Sequence, residues 1–315
     1  MLVLMKMSNE NKFKILAILG PTAIGKTEIA IRLAKAFDGE VISCDSVQIY
    51  KRLDIGSAKP KDEELNSIKY HMLSLFKPSF QVDVGLYKKI AERTILDVNK
   101  REKLPIVAGG TGMYFNSLYY GLFEGPGRDE ALRRGLEERI RKEGLLSLYE
   151  ELRMKDPKYA EKVQPGDKRR IVRALEVYYK TGTPFSNLHL NNKKLPLDWF
   201  LIGLNMERKE LYERIEVRVD RMIKEGLIDE TRSIMETYGE NAFALGSIGY
   251  RHARDYILGK IDKEEMISLL KKDTRHYAKR QITWFRKIKG INWFNPLELD
   301  KIMIAVKDFL YGEKL

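Results

Sequence analysis

One octapeptide restricts the fold more than any other feature of the chain. Gly20-Pro21-Thr22-Ala23-Ile24-Gly25-Lys26-Thr27 satisfies G-x-x-x-x-G-K-[ST] in full. The glycines let the backbone curl so that its N–H groups face an anion, and the helix that follows adds its positive end. Such a loop needs a strand before it and a helix after it. Lys14–Leu19 (KILAIL) reads as a buried strand, and Glu28–Phe37 has helical apolar spacing at Ile29, Ala30, Leu33 and Phe37. All eight loop residues are therefore candidates for binding a diphosphate or nucleotide. Lys26 is placed to neutralise phosphate charge, and the Thr27 hydroxyl to hold a magnesium ion.

Other short apolar runs extend the pattern. Glu40–Cys44 (EVISC) ends at Asp45, Leu104–Ala108 (LPIVA) ends at Gly109-Gly110-Thr111-Gly112, and Trp199–Leu204 (WFLIGL) is again strand-like. Strands alternating with helices predict an α/β fold, a P-loop NTPase-like parallel sheet. Ligands on such sheets sit at the carboxyl ends of the strands, so the glycine- and Asp-bearing ends converge on one cleft. The composition shifts near Gly121, Gly125, Pro126 and Gly127, and a charged helical segment follows. The expected organisation is a first part of the core at 1–123, a helical insertion domain of about 75 residues at 124–199, and core completion with basic C-terminal helices at 200–315.

Composition narrows the setting. The chain has 315 residues, and 57 Lys+Arg against 45 Asp+Glu give a net charge of +12, which favours a polyanionic partner. The single cysteine, Cys44, excludes an internal disulfide and a cysteine-based zinc cluster, and points to a reducing, cytoplasmic compartment. No apolar run reaches the ~20 residues of a membrane helix, and Met1–Met7 is too short for a signal-peptide core. His71, His189, His252 and His276 lack metal-ligand spacing, so ordinary hydrogen-bonding roles are expected for all four.

In nucleotide hydrolases a second strand usually ends in an acidic residue that helps hold magnesium. Leu104–Ala108 ends without one, and the only carboxylate at a core strand end is Asp45. That disfavours hydrolysis and leaves open a diphosphate that departs as a leaving group. Alone, Asp45 reads as a helix or turn cap.

Its neighbourhood changes that reading. Asp45-Ser-Val-Gln-Ile-Tyr-Lys, Asp54-Ile-Gly-Ser-Ala-Lys-Pro and Ala108-Gly-Gly-Thr-Gly-Met-Tyr114, with the phosphate loop, resemble the tRNA dimethylallyltransferases, also called tRNA isopentenyltransferases. Asp167-Lys-Arg-Arg-Ile-Val-Arg-Ala-Leu-Glu176, Gly246-Ser-Ile-Gly-Tyr-Arg251 and Lys279-Arg-Gln-Ile-Thr-Trp-Phe-Arg286 agree with the same family. The blocks run in order from 20 to 286. Ser247 stands where the family motif usually has Cys.

The resemblance implies transfer of a dimethylallyl group from dimethylallyl diphosphate to N6 of adenine 37, in tRNAs reading codons that start with U. It implies Mg2+ as cofactor, pyrophosphate as product, and a tRNA anticodon stem-loop as partner, with the base flipped into a channel. Carried over residue by residue, Asp45 is the general base, Thr111 lies near the amino group, Gln48 contacts the base, and Lys26 and Arg218 serve the diphosphate. Arg214 and Arg221 stand close enough to Arg218 to be alternatives. The tRNA contacts implied are Asp45, Ser46, Val47, Gln48, Thr111, Arg133, Asp167, Arg169, Arg170, Arg173, Gly246, Tyr250, Arg251, Lys279, Arg280, Gln281, Trp284 and Arg286. A monomer is expected.

The helical period also places Lys272, Arg275, Lys279 and Arg286 within about a 60° arc, a stripe suited to a phosphate backbone. Trp284 and Phe285 beside it read as packing residues. The rival enzymes are an isopentenyltransferase acting on free adenine nucleotide, which needs neither the insertion nor the basic C-terminal blocks, and a P-loop small-molecule kinase. A non-catalytic RNA-binding protein would not need Asp45 in a phosphate-loop cleft.

Overall fold

The computed structural model describes residues 13–122, 125–188 and 195–312. His189 and Met1–Met7 lie outside them. In chain order the elements are β1 (Phe13–Leu19), α1 (Lys26–Ala36), β2 (Gly39–Cys44), α2 (Asp62–Leu65), β3 (Tyr70–His71), α3 (Val84–Lys100), β4 (Leu104–Gly109), α4 (Gly112–Tyr119), α5 (Glu130–Glu143), α6 (Leu145–Lys155), α7 (Pro157–Ala160), α8 (Lys168–Thr181), α9 (Phe185–Leu188), β5 (Leu197–Leu204), α10 (Arg208–Glu225), α11 (Leu227–Tyr238), α12 (Tyr250–Ile257), α13 (Lys263–Phe285), β6 (Ile291–Phe294) and α14 (Leu299–Tyr311). The chain divides into two compact units, residues 1–117 with 196–315, and residues 118–195.

The first unit is built on a six-stranded sheet in the order β3-β2-β4-β1-β5-β6, and every pairing is parallel. Ile15–Leu19 of β1 are fully buried. Burial on both faces explains why the strands read as unbroken apolar runs rather than alternating ones. One layer of core is formed by Leu16 and Ile18 with Ile29, Ala30 and Leu33 of α1, Ile202 and Leu204 of β5, Ile215 of α10 and Ala278 of α13. Ile302 and Val306 of α14 close the same cluster, and Phe309 stacks on Phe200 at 5.2 Å between ring centroids.

The edge strands β3 and β6 are additions to what the sequence predicts. β3 is two residues long, and side chains hold it as much as the ladder does. His71 Nε2 lies 2.6 Å from Glu40 Oε2, and Arg101 bonds the same carboxylate at 2.5 Å. On the other flank of β2, the Tyr87 hydroxyl donates to Ser43 O at 3.1 Å, and its ring stacks on Tyr114 at 3.8 Å.

The second unit is helical. Leu136, Leu148, Leu152, Ile171, Leu175 and Val177 form its core. At its centre the Glu176 carboxylate, fully buried, accepts from Arg133 Nε at 2.9 Å, Asp129 N at 2.8 Å and Arg173 at 2.6 Å. Arg173 also donates to Pro126 O at 2.9 Å. Burial alone would raise the Glu176 carboxyl, but the hydrogen bonds from Arg133, Asp129 and Arg173 outweigh it and hold the group at about 2. A depressed folded-state value contributes stability above the unfolded value and loses it as pH falls. The second unit is therefore expected to lose about 3 kcal/mol between pH ~4.5 and pH ~2. Glu176→Gln is expected to destabilise it at neutral pH and to flatten that acid limb. Urea unfolding across a pH series checks both expectations.

Candidate active site

The ladder register brings three strand ends level. Leu19 of β1 and Cys44 of β2 both pair with Gly109 of β4. The phosphate loop after β1, the Asp45 turn after β2 and the Gly110–Thr111 corner after β4 therefore share one edge of the sheet.

Asp45 is fixed by its own turn. Its Oδ1 accepts from Val47 N at 2.8 Å and Gln48 N at 3.3 Å. The turn is latched to the third strand end. Thr111 N donates to Cys44 O at 3.1 Å, and Ser46 N donates to Thr111 Oγ1 at 3.1 Å. Burial pushes the Cys44 thiol up to about 12, with Tyr87 and Lys26 opposing and Asp45 assisting. It stays a neutral packing group and is no nucleophile.

Two cations face Asp45. Lys26, at the first turn of α1, donates to Pro21 O at 2.6 Å. Burial pulls its ammonium down to about 7, the Arg218 guanidinium adds to the fall, and Asp45 and Cys44 oppose it. Arg218, on α10, donates to Ser57 O at 3.5 Å. It is likewise lowered by burial, with Asp45 opposing and Arg221 assisting. Among the three arginines left open by the sequence, Arg218 is the one whose charge acts on Lys26 and feels that of Asp45. Arg214 is tied to Glu210 at 3.1 Å, and Arg221 is exposed.

Two tyrosines complete the wall, and sequence reasoning assigns neither a role there. Tyr70 of β3 lies beside the Thr27 side chain, and Tyr277 of α13 beside Thr111. Burial, reinforced by the Asp45 charge, raises both phenols, so both remain neutral donors. Among the described residues no group of three or more His, Cys, Asp or Glu is placed to hold a metal.

The RNA-contact residues implied by resemblance fall into distinct environments. Lys279, Arg280 and Arg286 are exposed, and Trp284 is 37% exposed. Trp284 packs so closely on Gly112 that a Cβ there would lie 2.4 Å from the indole. Gly246 is exposed at the end of the 3-10 turn Phe243–Gly246. In the second unit Arg169 and Arg170 are exposed, and Asp167 caps α8 by accepting from Arg170 N at 3.1 Å.

Others are committed internally. Arg133 and Arg173 are held by Glu176, and Arg251 pairs with Asp273. Arg275 leaves the predicted stripe for Glu216 on α10, at 2.8 Å. Gln48 spends most of its amide inside the protein. Its Oε1 accepts from Ser43 Oγ at 2.8 Å, and its Nε2 donates to Ser57 O and Ala58 O at 3.4 and 3.2 Å.

Two expectations are corrected. Tyr250 is fully buried, with its hydroxyl on Glu230 at 2.6 Å, so it presents no surface to RNA. Gln281 is 6% exposed and bridges two loops of the site. It accepts from Thr22 N at 2.9 Å and donates to Gly110 O at 2.9 Å. Gln281 lies among the exposed Lys279, Arg280 and Arg286, and Tyr250 lies next to Arg251, so the sequence carries no signal that marks either as buried.

A phosphate loop at the carboxyl edge of a parallel sheet, with the Asp45 carboxylate within electrostatic reach of its lysine, defines a P-loop α/β protein whose cleft suits a polyphosphate. Comparison with known proteins narrows that class. A family model described as IPP transferase matches residues 48–288. The chain is 42% identical over 301 residues to a tRNA dimethylallyltransferase of Acetivibrio thermocellus, covering 94% of this chain and 96% of that one. It is 40% identical to that of Geobacter sulfurreducens, covering 95% and 98%. Among solved structures it is similar to the full-length tRNA isopentenylpyrophosphate transferase of Bacillus halodurans, at 38% identity and TM-score 0.71, covering 96% of each chain. It is also similar to a eukaryotic dimethylallyltransferase acting on tRNA, at 29% identity and TM-score 0.82, covering 96% of this chain and 81% of that one. The chain belongs to the IPP transferase family.

The Gln281 bridge generates a prediction. Gln281→Ala leaves the Thr22 N–H and Gly110 carbonyl without their partner, at about 1–3 kcal/mol each. The variant is expected to melt lower and to bind pyrophosphate more weakly, with the salt dependence of tRNA binding unchanged. Calorimetry and filter binding separate these effects.

Proposed function

We propose that this protein is a tRNA dimethylallyltransferase that modifies N6 of adenine 37 in tRNAs reading codons that start with U. The observation that carries the reading is Asp45 facing Lys26 and Arg218 across the phosphate loop, in a chain similar over nearly its whole length to tRNA dimethylallyltransferases. Dimethylallyl diphosphate is the donor, and an anticodon stem-loop presents the acceptor base. A cytoplasmic setting is supported by its one cysteine, an unpaired buried thiol.

The chemistry follows from the groups present. An adenine amino group is a poor nucleophile because its lone pair is delocalised into the ring. As N6 bonds to C1 of the dimethylallyl group, the C1–O bond breaks and its electron pair leaves on the diphosphate. Asp45 takes the N6 proton; its turn engages Oδ1 and leaves Oδ2 as the acceptor. Lys26, Arg218 and the loop N–H groups neutralise the charge that grows on the diphosphate. A magnesium ion, when bound, adds Lewis-acid neutralisation of the leaving group. Thr27 is the residue that would hold it. Thr111 is oriented toward the acceptor by Ser46 N, and Gln48 keeps one Oε1 lone pair for the base. Each unit has its own exposed groups to offer RNA: Lys279, Arg280, Trp284 and Arg286 in the first, and Arg169 and Arg170 in the second. Extruding one base from a single-stranded loop is how sequence-specific RNA recognition generally works.

The deciding experiment incubates the protein with labelled dimethylallyl diphosphate and unmodified tRNA, then maps the label by nucleoside mass spectrometry. Label on N6 of adenine 37 is expected. Nucleoside-triphosphate turnover without any prenyl transfer would replace the reading with a kinase or ATPase.

Two variants separate chemistry from positioning. Asp45→Asn keeps the Oδ1 acceptor of the turn but removes the base. It is expected to lose ~10²–10⁴-fold in single-turnover rate with tRNA binding intact. Near wild-type rates would show that Asp45 is not the base. Neutralising Lys279 and Arg286 together is expected to weaken tRNA binding and to lower the log–log salt slope by somewhat under ~1 for each phosphate no longer neutralised. The rate at saturating tRNA should change far less. Filter binding over a salt series reads the slope, and an unaltered slope would assign the stripe to solvent.

A further inference from the structure

We infer that Glu230 is a positioning residue for the reaction: its carboxylate fixes the loop at 53–59, and the carbonyls of that loop fix Arg218 and Gln48. The inference rests on the prenyl-transfer reading of the cleft.

Three consecutive backbone N–H groups converge on one side chain. Glu230, on α11, accepts from Asp54 N at 3.0 Å, Ile55 N at 2.9 Å and Gly56 N at 3.2 Å. The Tyr250 hydroxyl donates to the same carboxylate at 2.6 Å. The Tyr250 ring packs against the loop so closely that a Cβ on Gly56 would lie 2.6 Å from it. N–H groups in such a loop have no ladder to join, so a carboxylate with four acceptor sites is a complete partner for them.

The loop needs an anchor because its conformation is costly. Ala58 has φ 46°, in the left-handed region, and Arg52 has φ 65°. Arg52 is itself tied to α11, at Ser233 Oγ 2.7 Å away and Thr237 Oγ1 2.9 Å away. α11 therefore grips the segment at two points. The far side of the loop faces the cleft: Ser57 O accepts from Arg218 and Gln48, and Ala58 O accepts from Gln48. Any slack at Glu230 reaches both groups through one turn of backbone. The Asp54-Ile-Gly-Ser-Ala-Lys-Pro and Gly246-Ser-Ile-Gly-Tyr-Arg blocks thus act together. One supplies the loop, and the other supplies the tyrosine that completes its anchor.

Glu230→Gln keeps the size of the side chain but turns an amide NH2 toward N–H donors. Four readouts are expected to move together. Exchange of the amide hydrogens at 54–56 accelerates at least tenfold. Single-turnover rate at saturating substrates falls about 10- to 100-fold with the reaction amplitude kept, the equivalent of one or two charge-assisted hydrogen bonds. Pyrophosphate binds several-fold more weakly, while the salt slope of tRNA binding is unchanged, because no phosphate-facing cation is altered. In a Gln48→Ala background the same substitution costs less than in the wild type, because part of its path is already broken. Glu230→Asp restores part of the rate.

A loss confined to amplitude and melting temperature, or a full multiplicative loss in the Gln48→Ala background, would make Glu230 structural only and overturn the inference. Tyr250→Phe, which removes one donor and keeps the ring, carries the same test at smaller size if Glu230→Gln does not fold. Failure of wild-type prenyl transfer would sink the functional reading instead, and the amide-exchange and pyrophosphate arms would still decide the anchor.

Discussion

The ends of β2 and β4 touch at a point where no side chain fits: a Cβ on Gly109 would lie 2.1 Å from the Cys44 carbonyl oxygen. That contact sets the geometry of the cleft. It lets Thr111 N reach Cys44 O, which places the Thr111 hydroxyl against Ser46 and fixes the Asp45 turn. β1 ends level with both strands, so the phosphate loop opens at the same height. Gln281 then ties the corner after β4 to the phosphate loop through Gly110 O and Thr22 N. Three loops with no mutual ladder are thereby held as one rigid edge, which is what placing reacting groups to within a fraction of an ångström requires.

Electrostatics gives that edge its selectivity. Lys26 and Arg218 are both part-buried cations whose charged forms burial disfavours, with Asp45 the counter-charge they share. A pair of desolvated cations is uncomfortable alone and is relieved by a polyanion. The neighbouring phenols of Tyr70 and Tyr277 and the Cys44 thiol are held neutral, so they add donors and packing without adding charge that would compete with Asp45. One base, two cations and a wall of neutral groups suit a reaction in which a diphosphate gains charge while an amine loses a proton.

The sequence makes the centre of this arrangement readable and hides its periphery, for physical reasons. β1, β2, β4 and β5 are flanked by structure on both faces, so their apolar runs announce them; β3 and β6 are short edge strands, and Ile291-Asn-Trp-Phe carries no clean pattern. The phosphate loop is legible because backbone chemistry dictates its glycines. Arg218 is not separable from Arg214 and Arg221 by spacing, since residues three and four apart share a helix face, and only the packing of α10 decides among them. Tyr250 and Gln281 look like RNA contacts because they sit beside basic residues, Tyr250 next to Arg251 and Gln281 next to Lys279 and Arg280. Their burial depends on Glu230, Thr22 and Gly110, which are distant in sequence. Glu230 itself sits in no motif, and its role exists only once α11 meets the 53–59 loop.

The same distinction governs how the net charge of +12 should be understood. Counterion release on RNA binding counts only cations free to approach phosphate. Arg133 and Arg173 close on a buried carboxylate, so their charge is already compensated inside the fold, while Arg251 on Asp273 and Arg275 on Glu216 form partly exposed pairs. Those arginines shape surfaces: Arg133 and Arg173 fix the start of α5 against α8, and Arg275 fixes α13 against α10. Lys279 and Arg286, two turns apart on and just beyond α13, and Arg169 at the start of α8 stand in solvent with their charge available. Arg170 is intermediate: it is exposed, but its Nε lies 3.3 Å from Asp167, a surface pair that a phosphate can displace at small cost. A basic motif in this chain is thus two layers, an inner one that positions helices and an outer one whose charge stands in solvent, and only accessibility tells them apart.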